Sequence, residues 1–474
     1  MHEELRRFLT HLRPAFSRQA TYGWFVIVFV GFMVRTDTLG VSSIVRALML
    51  TPGSYTCLLH FFHSTAWTVE GLMAVWWEWL AARDVAYRLG NRLVLVGDHT
   101  KAPKDGRKMP AVTTLHQDSE TSAKPTFFRG HHWGCIGLLV RAGAKFFATP
   151  LWANIQEGLG GIADPREKKR PKTIRIVHMA QQAARAMGER AYLVLDAYFA
   201  VGSVFQAAAG IREGDDPLVH ILTRAKKNVV AYLPAPVLKN RKPGRPRKYG
   251  KKLTLLKLFD SIAKAYPFHT ARIRVYDRQE CVRHLALNLL WKPTKGMLRF
   301  ILVESSRGRM ILISSDLELT PGAAIELYCR RVSIETLFDT LKNTLGAMAY
   351  HFWSQYLDPV SRRPKKNAPK RRRTEDLDKT RNTLAAIEKF VNVQLLVLGT
   401  LQLIARAYPA QVKAKAACWL RTVSSATPSE FVTRVALSKL INSKLYGFGK
   451  DWITRLIREQ QNRLGNTGGY EEAA

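Results

Sequence analysis

The chain has 474 residues, 47% of them hydrophobic and 10% aromatic, and its 73 Lys plus Arg against 37 Asp plus Glu leave a formal charge of +36. That length and apolar content exclude a wholly disordered chain and allow two or three domains around a large core. The charge excess points to a polyanionic partner, nucleic acid first. The longest apolar runs, residues 24–34 and 393–404, fall short of the roughly 18 residues a membrane-spanning helix needs, so no membrane is expected. The N-terminus, Met-His-Glu-Glu-Leu-Arg-Arg, lacks the layout of a secretory signal, which gives a cytoplasmic expectation. The cysteines Cys57, Cys135, Cys281, Cys329 and Cys418 form no CxxC pair, which argues against a disulfide framework or a zinc site.

Residues 1–88 read as helices, a helical N-terminal DNA-binding domain. Residues 5–16 are amphipathic, 24–34 are apolar all round, and 42–50 and 54–63 make two short helices parted by Thr51-Pro52-Gly53. Two helices across a Gly-containing turn have the outline of a helix-turn-helix with residues 55–62 facing DNA, and equally that of a plain helical hairpin. Residues 67–80, with Trp76, Trp77 and Trp79, read as a core helix.

From Arg92 the period changes. Leu93-Val94-Leu95-Val96 is a buried strand by pattern, ended by Gly97-Asp98, and a basic loop with Lys101, Lys104, Arg107 and Lys108 follows. Residues 135–140 and 145–151 form a hairpin, 173–187 have helical spacing, and Tyr192-Leu193-Val194-Leu195 repeats the first pattern and ends in Asp196. With a further strand at 218–224, residues 89–225 have the element order of a ribonuclease-H-like α/β core with a mixed sheet.

Residues 226–315 read as a β-rich insertion. At its start, 239–252 place Arg245 and Arg247 in a Pro-Gly-Arg-Pro setting that suits either a minor-groove hook or a solvated basic loop. Residues 316–357 close the core with one predicted helix, 328–342. At about 100° per residue Leu327, Ile334, Leu337, Phe338 and Leu341 make an apolar stripe, and Tyr328, Arg331, Glu335 and Lys342 share a narrow edge beside it. Arg331 and Glu335, at i,i+4, also suit an intrahelical ion pair. A basic linker at 358–382 leads to a helical region, 383–474, opened by a long helix at 384–407 and Gly-rich past Leu464.

Tyr328, Arg331, Glu335 and Lys342 match the pattern Tyr-x2-Arg-x3-Glu-x6-Lys. On these residues the chain resembles the DDE transposases of bacterial insertion sequences that carry this signature, over residues 93–353. The resemblance implies that Asp98, Asp196 with the following Ala197-Tyr198-Phe199, and Glu335 are the catalytic acids and bind two ions. Carboxylates without histidine or cysteine favour Mg²⁺ or Mn²⁺. His99, His131 and His132 are then phosphate contacts or plain polar residues. The resemblance further implies that Tyr328, Arg331 and Lys342 bind DNA. Lys104 joins them as a DNA contact, and Trp291 is a candidate to stack a flipped base or a core tryptophan. The expected protein is a transposase that cuts double-stranded DNA at its element's inverted repeats and joins the 3′ ends to target DNA. It would work as a homodimer in the bacterial cytoplasm, associated with the nucleoid when bound. The rivals are a ribonuclease-H-like nuclease or resolvase that does not join, and an inactive DNA-binding regulator, which the presence of every signature residue disfavours.

Overall fold

Five helices open the chain: α1 (His2–His11), α2 (Gln19–Val34), α3 (Ser42–Ala47), α4 (Ser54–His63) and α5 (Val69–Ala82). They belong to a computed structural model that describes residues 1–117, 126–160, 162, 170–236, 247–261, 266–276, 278–361, 374–418, 423, 425–445 and 451–466. α1 ends earlier than its amphipathic pattern because Pro14, inside a separate turn at Arg13–Ala15, lacks the N–H that would continue the helix. α2 is apolar on every side and buried from Phe25 to Val34, packed between the other helices. α4 buries Leu58, Phe61 and Phe62 and leaves Tyr55, Thr56 and His60 exposed.

The centre is a mixed sheet. β1 (Arg92–Pro103) lies antiparallel to β2 (Phe127–Ala142), which lies antiparallel to β3 (Lys145–Ile155). On its other side β1 runs parallel to β4 (Ala191–Leu195), and β4 parallel to β5 (Val219–Arg224). α6 (Lys172–Ala186) makes the crossover from β3 to β4 and covers one face. The strands from the β-rich insertion continue this sheet rather than forming a body of their own. β5 is followed across the sheet by β11 (Gly308–Ser314), β10 (Gly296–Ser305), β9 (Arg278–Trp291), β6 (Val230–Pro234) and β7 (Tyr249–Thr254), with β8 (His269–Val275) on β9. The boundary expected at residue 226 is therefore no break in the sheet.

At Leu151 a bulge interrupts the β2–β3 register. The indole N–H groups of Trp76 and Trp77 on α5 donate to the carbonyls of Pro150 (2.9 Å) and Leu151 (3.1 Å), satisfying groups the ladder leaves open.

The long helix, α9 (Leu377–Ala407), starts seven residues before its apolar run because Asp376 caps it, Oδ1 accepting from the Lys379 N–H at 2.9 Å. It is long and apolar enough to cross a membrane by length and composition, but 83% of its most apolar window is buried inside the protein, as in a core helix. Asn392 pairs with both the N–H (3.0 Å) and the carbonyl (2.7 Å) of Ala153 on β3. One turn earlier, half-buried Glu388 accepts from the Ile155 N–H at 2.9 Å, and burial pushes its carboxyl up to about 7. A carboxyl raised on folding contributes stability at low pH that is lost as pH rises through about 7. Glu388→Gln, which keeps the acceptor, should therefore leave stability unchanged below pH 5 and raise it by about 1–2 kcal/mol at pH 8.5. Denaturant titrations at both pH values check this; an equal gain at both would assign the effect to packing.

Gly97 sits where β1 meets α6. A Cβ there would lie 2.9 Å from Cγ2 of Ile176 and 3.0 Å from Cδ2 of Leu195. Gly97→Ala should cost about 1–3 kcal/mol and lower Tm by several degrees. A Tm equal to that of the wild type would mean that the sheet and α6 separate freely there.

Candidate active site

The parallel register pairs Val96 of β1 with Val194 of β4. Two residues further along the chain from each come Asp98, still on β1, and Asp196, the extended residue just past the end of β4, close enough for the Asp196 carboxylate to act on Asp98. β4 ends at Leu195. The Asp196 carbonyl accepts from Thr223 Oγ1 (2.7 Å) and the Phe199 N–H (3.0 Å), which starts a short turn through Ala197–Phe199. Asp98, by contrast, does not end its strand: β1 continues to Pro103 against β2, with Asp98 opposite Cys135. The half-buried Asp98 accepts from the His99 N–H through Oδ1 at 2.7 Å. Burial pushes its carboxyl up to about 6, and Asp196 and Glu335 add to the rise.

The segment carrying the third acid is not one regular helix. α7 (Pro321–Arg330), capped by Thr320, packs on the β5 and β8 side of the sheet, and α8 (Ser333–Asp339) packs on β3 and β1. Because the apolar stripe serves two surfaces, the chain turns between them. The ladder tightens there, with N–H to carbonyl bonds from Arg331 to Tyr328 (3.2 Å), Ile334 to Arg331 (3.0 Å) and Glu335 to Val332 (3.0 Å). Beyond Asp339 it widens into a π turn, Thr340–Thr344, closed by Leu345 N–H on Thr340 (3.0 Å).

Arg331 occupies the space between the acids. Its Nη1 donates to Asp98 Oδ2 at 3.2 Å and its Nη2 to Glu335 Oε1 at 2.7 Å; the Arg331 side chain is 13% exposed and that of Glu335 54%. The i,i+4 ion pair is thus formed and extended across to β1. Among the described residues, no three His, Cys, Asp or Glu side chains close round a common point as metal ligands would. The cation held between Asp98 and Glu335 is the guanidinium. The donor set is nevertheless all carboxylate and already accommodates positive charge, which suits a hard divalent ion.

The other residues of the edge divide in two. Tyr328 is buried, its ring centroid 5.8 Å from the Arg331 guanidinium carbon, and burial pushes its phenol up to about 12. Lys342, on the π turn, donates from Nζ to the Lys101 carbonyl at 3.1 Å and so ties the segment to β1 past Asp98. The expectation for Lys104 is corrected, and Trp291 takes the second of its two readings. Lys104 is 7% exposed and donates to the carbonyls of Met348 and Tyr350 (3.0 Å), where it anchors the loop after the π turn and offers no charge to DNA. Trp291 is 7% exposed with its ring edge-on to Phe205, so it is a core residue without a free face for a base. Arg247 is exposed, and Arg245 lies outside the described residues.

Behind Asp98, on the α6 side, His132 Nδ1 and Lys172 Nζ hold Glu157 at 2.9 and 2.7 Å and draw its carboxyl down to about 2, while the His99 ring packs on His132 and Phe199. His131 is structural, wedged between the Tyr350 hydroxyl (2.6 Å) and the Pro110 carbonyl (2.8 Å). Sequence reasoning missed Arg35, which is 1% exposed and donates to the carbonyl of Leu345 at the end of the π turn, to Gln394 Oε1 and Ser43 Oγ (2.9 Å each) and to the Gly40 carbonyl (3.2 Å). Its position directly after an all-apolar helix was the available signal.

Asp98 on β1, Asp196 just past the end of β4 and Glu335 on a helix laid across the sheet are thus gathered round Arg331. The family described as DDE superfamily endonuclease matches residues 11–279, more than half of the chain, and the chain belongs to that family. The match takes in Asp98 and Asp196 and ends before Glu335. No curated protein matches the sequence.

Proposed function

We propose that the protein is a DDE transposase with Asp98, Asp196 and Glu335 as its catalytic acids. The observation that carries this reading is Asp98 on β1 beside Asp196 just past the end of the parallel neighbour β4, with Glu335 linked to Asp98 through Arg331. The order β3-β2-β1-β4-β5, with its last three strands parallel, supports a ribonuclease-H-like core. The family to which the chain belongs works with divalent metal ions. Held by the three acids, two Mg²⁺ or Mn²⁺ would make an attacking oxygen more nucleophilic and stabilise the leaving oxygen of an in-line displacement.

The chain's own residues do the rest. Asp98 stands in the β1–β2 ladder and the Asp196 backbone is held by Thr223 and Phe199, so their spacing is set before DNA arrives. Glu335 completes the site from a half-exposed helix edge. Arg331 neutralises the acids in the resting protein and turns to a backbone phosphate in the working complex, a bidentate contact suited to its planar fork. Lys342 keeps α8 and the π turn against β1. The substrate is double-stranded DNA: element ends held as a pair by two copies of the chain, and a target strand attacked by the freed 3′-hydroxyl.

Incubating the protein in Mg²⁺ with pre-cut ends of its own element and a target plasmid tests this. Joined product is the expected result. Cutting without joining would leave a nuclease or resolvase, and end binding with neither would leave a regulator.

A further inference from the structure

Between α4, the start of α9 and residues 353–356 lies a cleft of about 800 Å³ lined by Arg18, His60, His63, Trp353, Tyr356 and Lys379 among others and, among the described residues, by no carboxylate. Of the acids near the start of α9, Asp376 caps the helix, Asp378 pairs with Arg381 at 3.3 Å, and exposed Glu375 is joined through its N–H to the Tyr356 carbonyl but does not line the cleft. Trp353 is 64% exposed, although both its neighbours are anchored. Phe352 is buried edge-on against Phe62 and Phe390, and Ser354, equally buried, donates its N–H to the Lys108 carbonyl at 3.0 Å. The backbone thus holds a large aromatic face in solvent, a placement with no folding benefit and an obvious binding use.

We propose that this cleft receives an unpaired DNA nucleotide, its base stacked on Trp353 and its phosphates against Lys379 and Arg18. The proposal rests on the reading of DNA as substrate. An aromatic platform among cations is the arrangement that binds single strands irrespective of sequence. The cleft also lies within reach of the acids. Its floor is pinned to Lys108 from both directions, since Lys108 Nζ donates to the Gln355 carbonyl at 3.0 Å. Asp98 and Lys108 are ten residues apart, hence separated by at most about 35 Å, the rise of about ten nucleotides of a DNA strand. A duplex engaged at Asp98 can therefore place a frayed or extruded nucleotide at Trp353.

The test uses the full-length chain in EDTA, with fluorescence anisotropy on a duplex carrying one unpaired thymine and on its fully paired counterpart. Trp353→Ala should weaken binding of the unpaired duplex about ten- to hundredfold and reduce the preference over the paired one, while Trp353→Phe keeps most of it. With 5-iodouracil at the unpaired position, photo-crosslinks should map to the peptide containing Trp353. Unchanged affinity in Trp353→Ala together with crosslinks elsewhere would overturn the proposal. So would altered self-association in sedimentation without a DNA effect, which would make the cleft a protein-docking site. Because no metal is used, the outcome is separable from catalysis: wild-type cutting in Mg²⁺ alongside an indifferent Trp353→Ala sinks the cleft alone. Loss of unpaired-nucleotide binding in Trp353→Ala, with a wild type that never cuts, supports the cleft and sinks the catalytic reading.

Discussion

Glu335→Gln protein should melt within about a degree of the wild type and bind element ends as tightly, yet cut them at least about a thousandfold more slowly in Mg²⁺. The side chain is 54% exposed and its one hydrogen bond is to Arg331 on the same helix edge, so folding loses only a few tenths of a kcal/mol. A thousandfold corresponds to about 4 kcal/mol of transition-state stabilisation, a reasonable loss for one carboxylate ligand of an ion acting as Lewis acid. Removing a negative charge should, if anything, favour DNA binding. Nicking assays and anisotropy measured on the same preparation separate the two effects. Cleavage within tenfold of the wild type would take Glu335 out of the site.

Arg35→Met should lower stability by about 3–5 kcal/mol, the largest loss expected from a single side chain here. The guanidinium is buried under Phe32, 4.6 Å from the ring centroid, and burial pulls its pKa down to about 9. Methionine fills most of the volume but leaves the Leu345 carbonyl and Gln394 Oε1 without their donor in a dry interior, while the Gly40 carbonyl keeps the Ser43 hydroxyl. A second effect follows from position. Arg35 and Arg434, which donates to the Thr344 carbonyl, together hold the end of the π turn and so fix Lys342 and α8 against β1. Cleavage should fall even at temperatures where the variant is folded. Urea titration and nicking at low temperature check both parts; a loss under 1 kcal/mol would mean that water or the backbone replaces the lost bonds.

The strands were legible where the signal is local. Leu93–Val96 and Tyr192–Leu195 are unbroken apolar runs because both faces of the central strands are covered, and each indeed leads to an aspartate. The adjacency of β1 and β4 was expected and is found; what could not be read is non-local, namely that β1 runs on past Asp98 against β2 and that the strands after residue 226 extend the same sheet. The edge holding Tyr328, Arg331 and Glu335 was legible from helical spacing. The turn at Arg331–Val332 was not, since it arises from two docking surfaces on one apolar stripe. Residue type also says little about burial. Lys104 looked like a DNA contact and is interior; Trp353 drew no notice and stands in solvent, because only tertiary contacts decide which face of a loop is covered.

The central claim, that Asp98, Asp196 and Glu335 hold the catalytic ions, is tested most directly by letting Fe²⁺ replace Mg²⁺ in the DNA-bound protein and cutting the polypeptide with the hydroxyl radicals it generates. Cuts are expected beside residues 98, 196 and 335, and should vanish in Glu335→Gln. Cuts centred instead on Glu157 and His132, or a pattern unchanged in Glu335→Gln, would contradict the account.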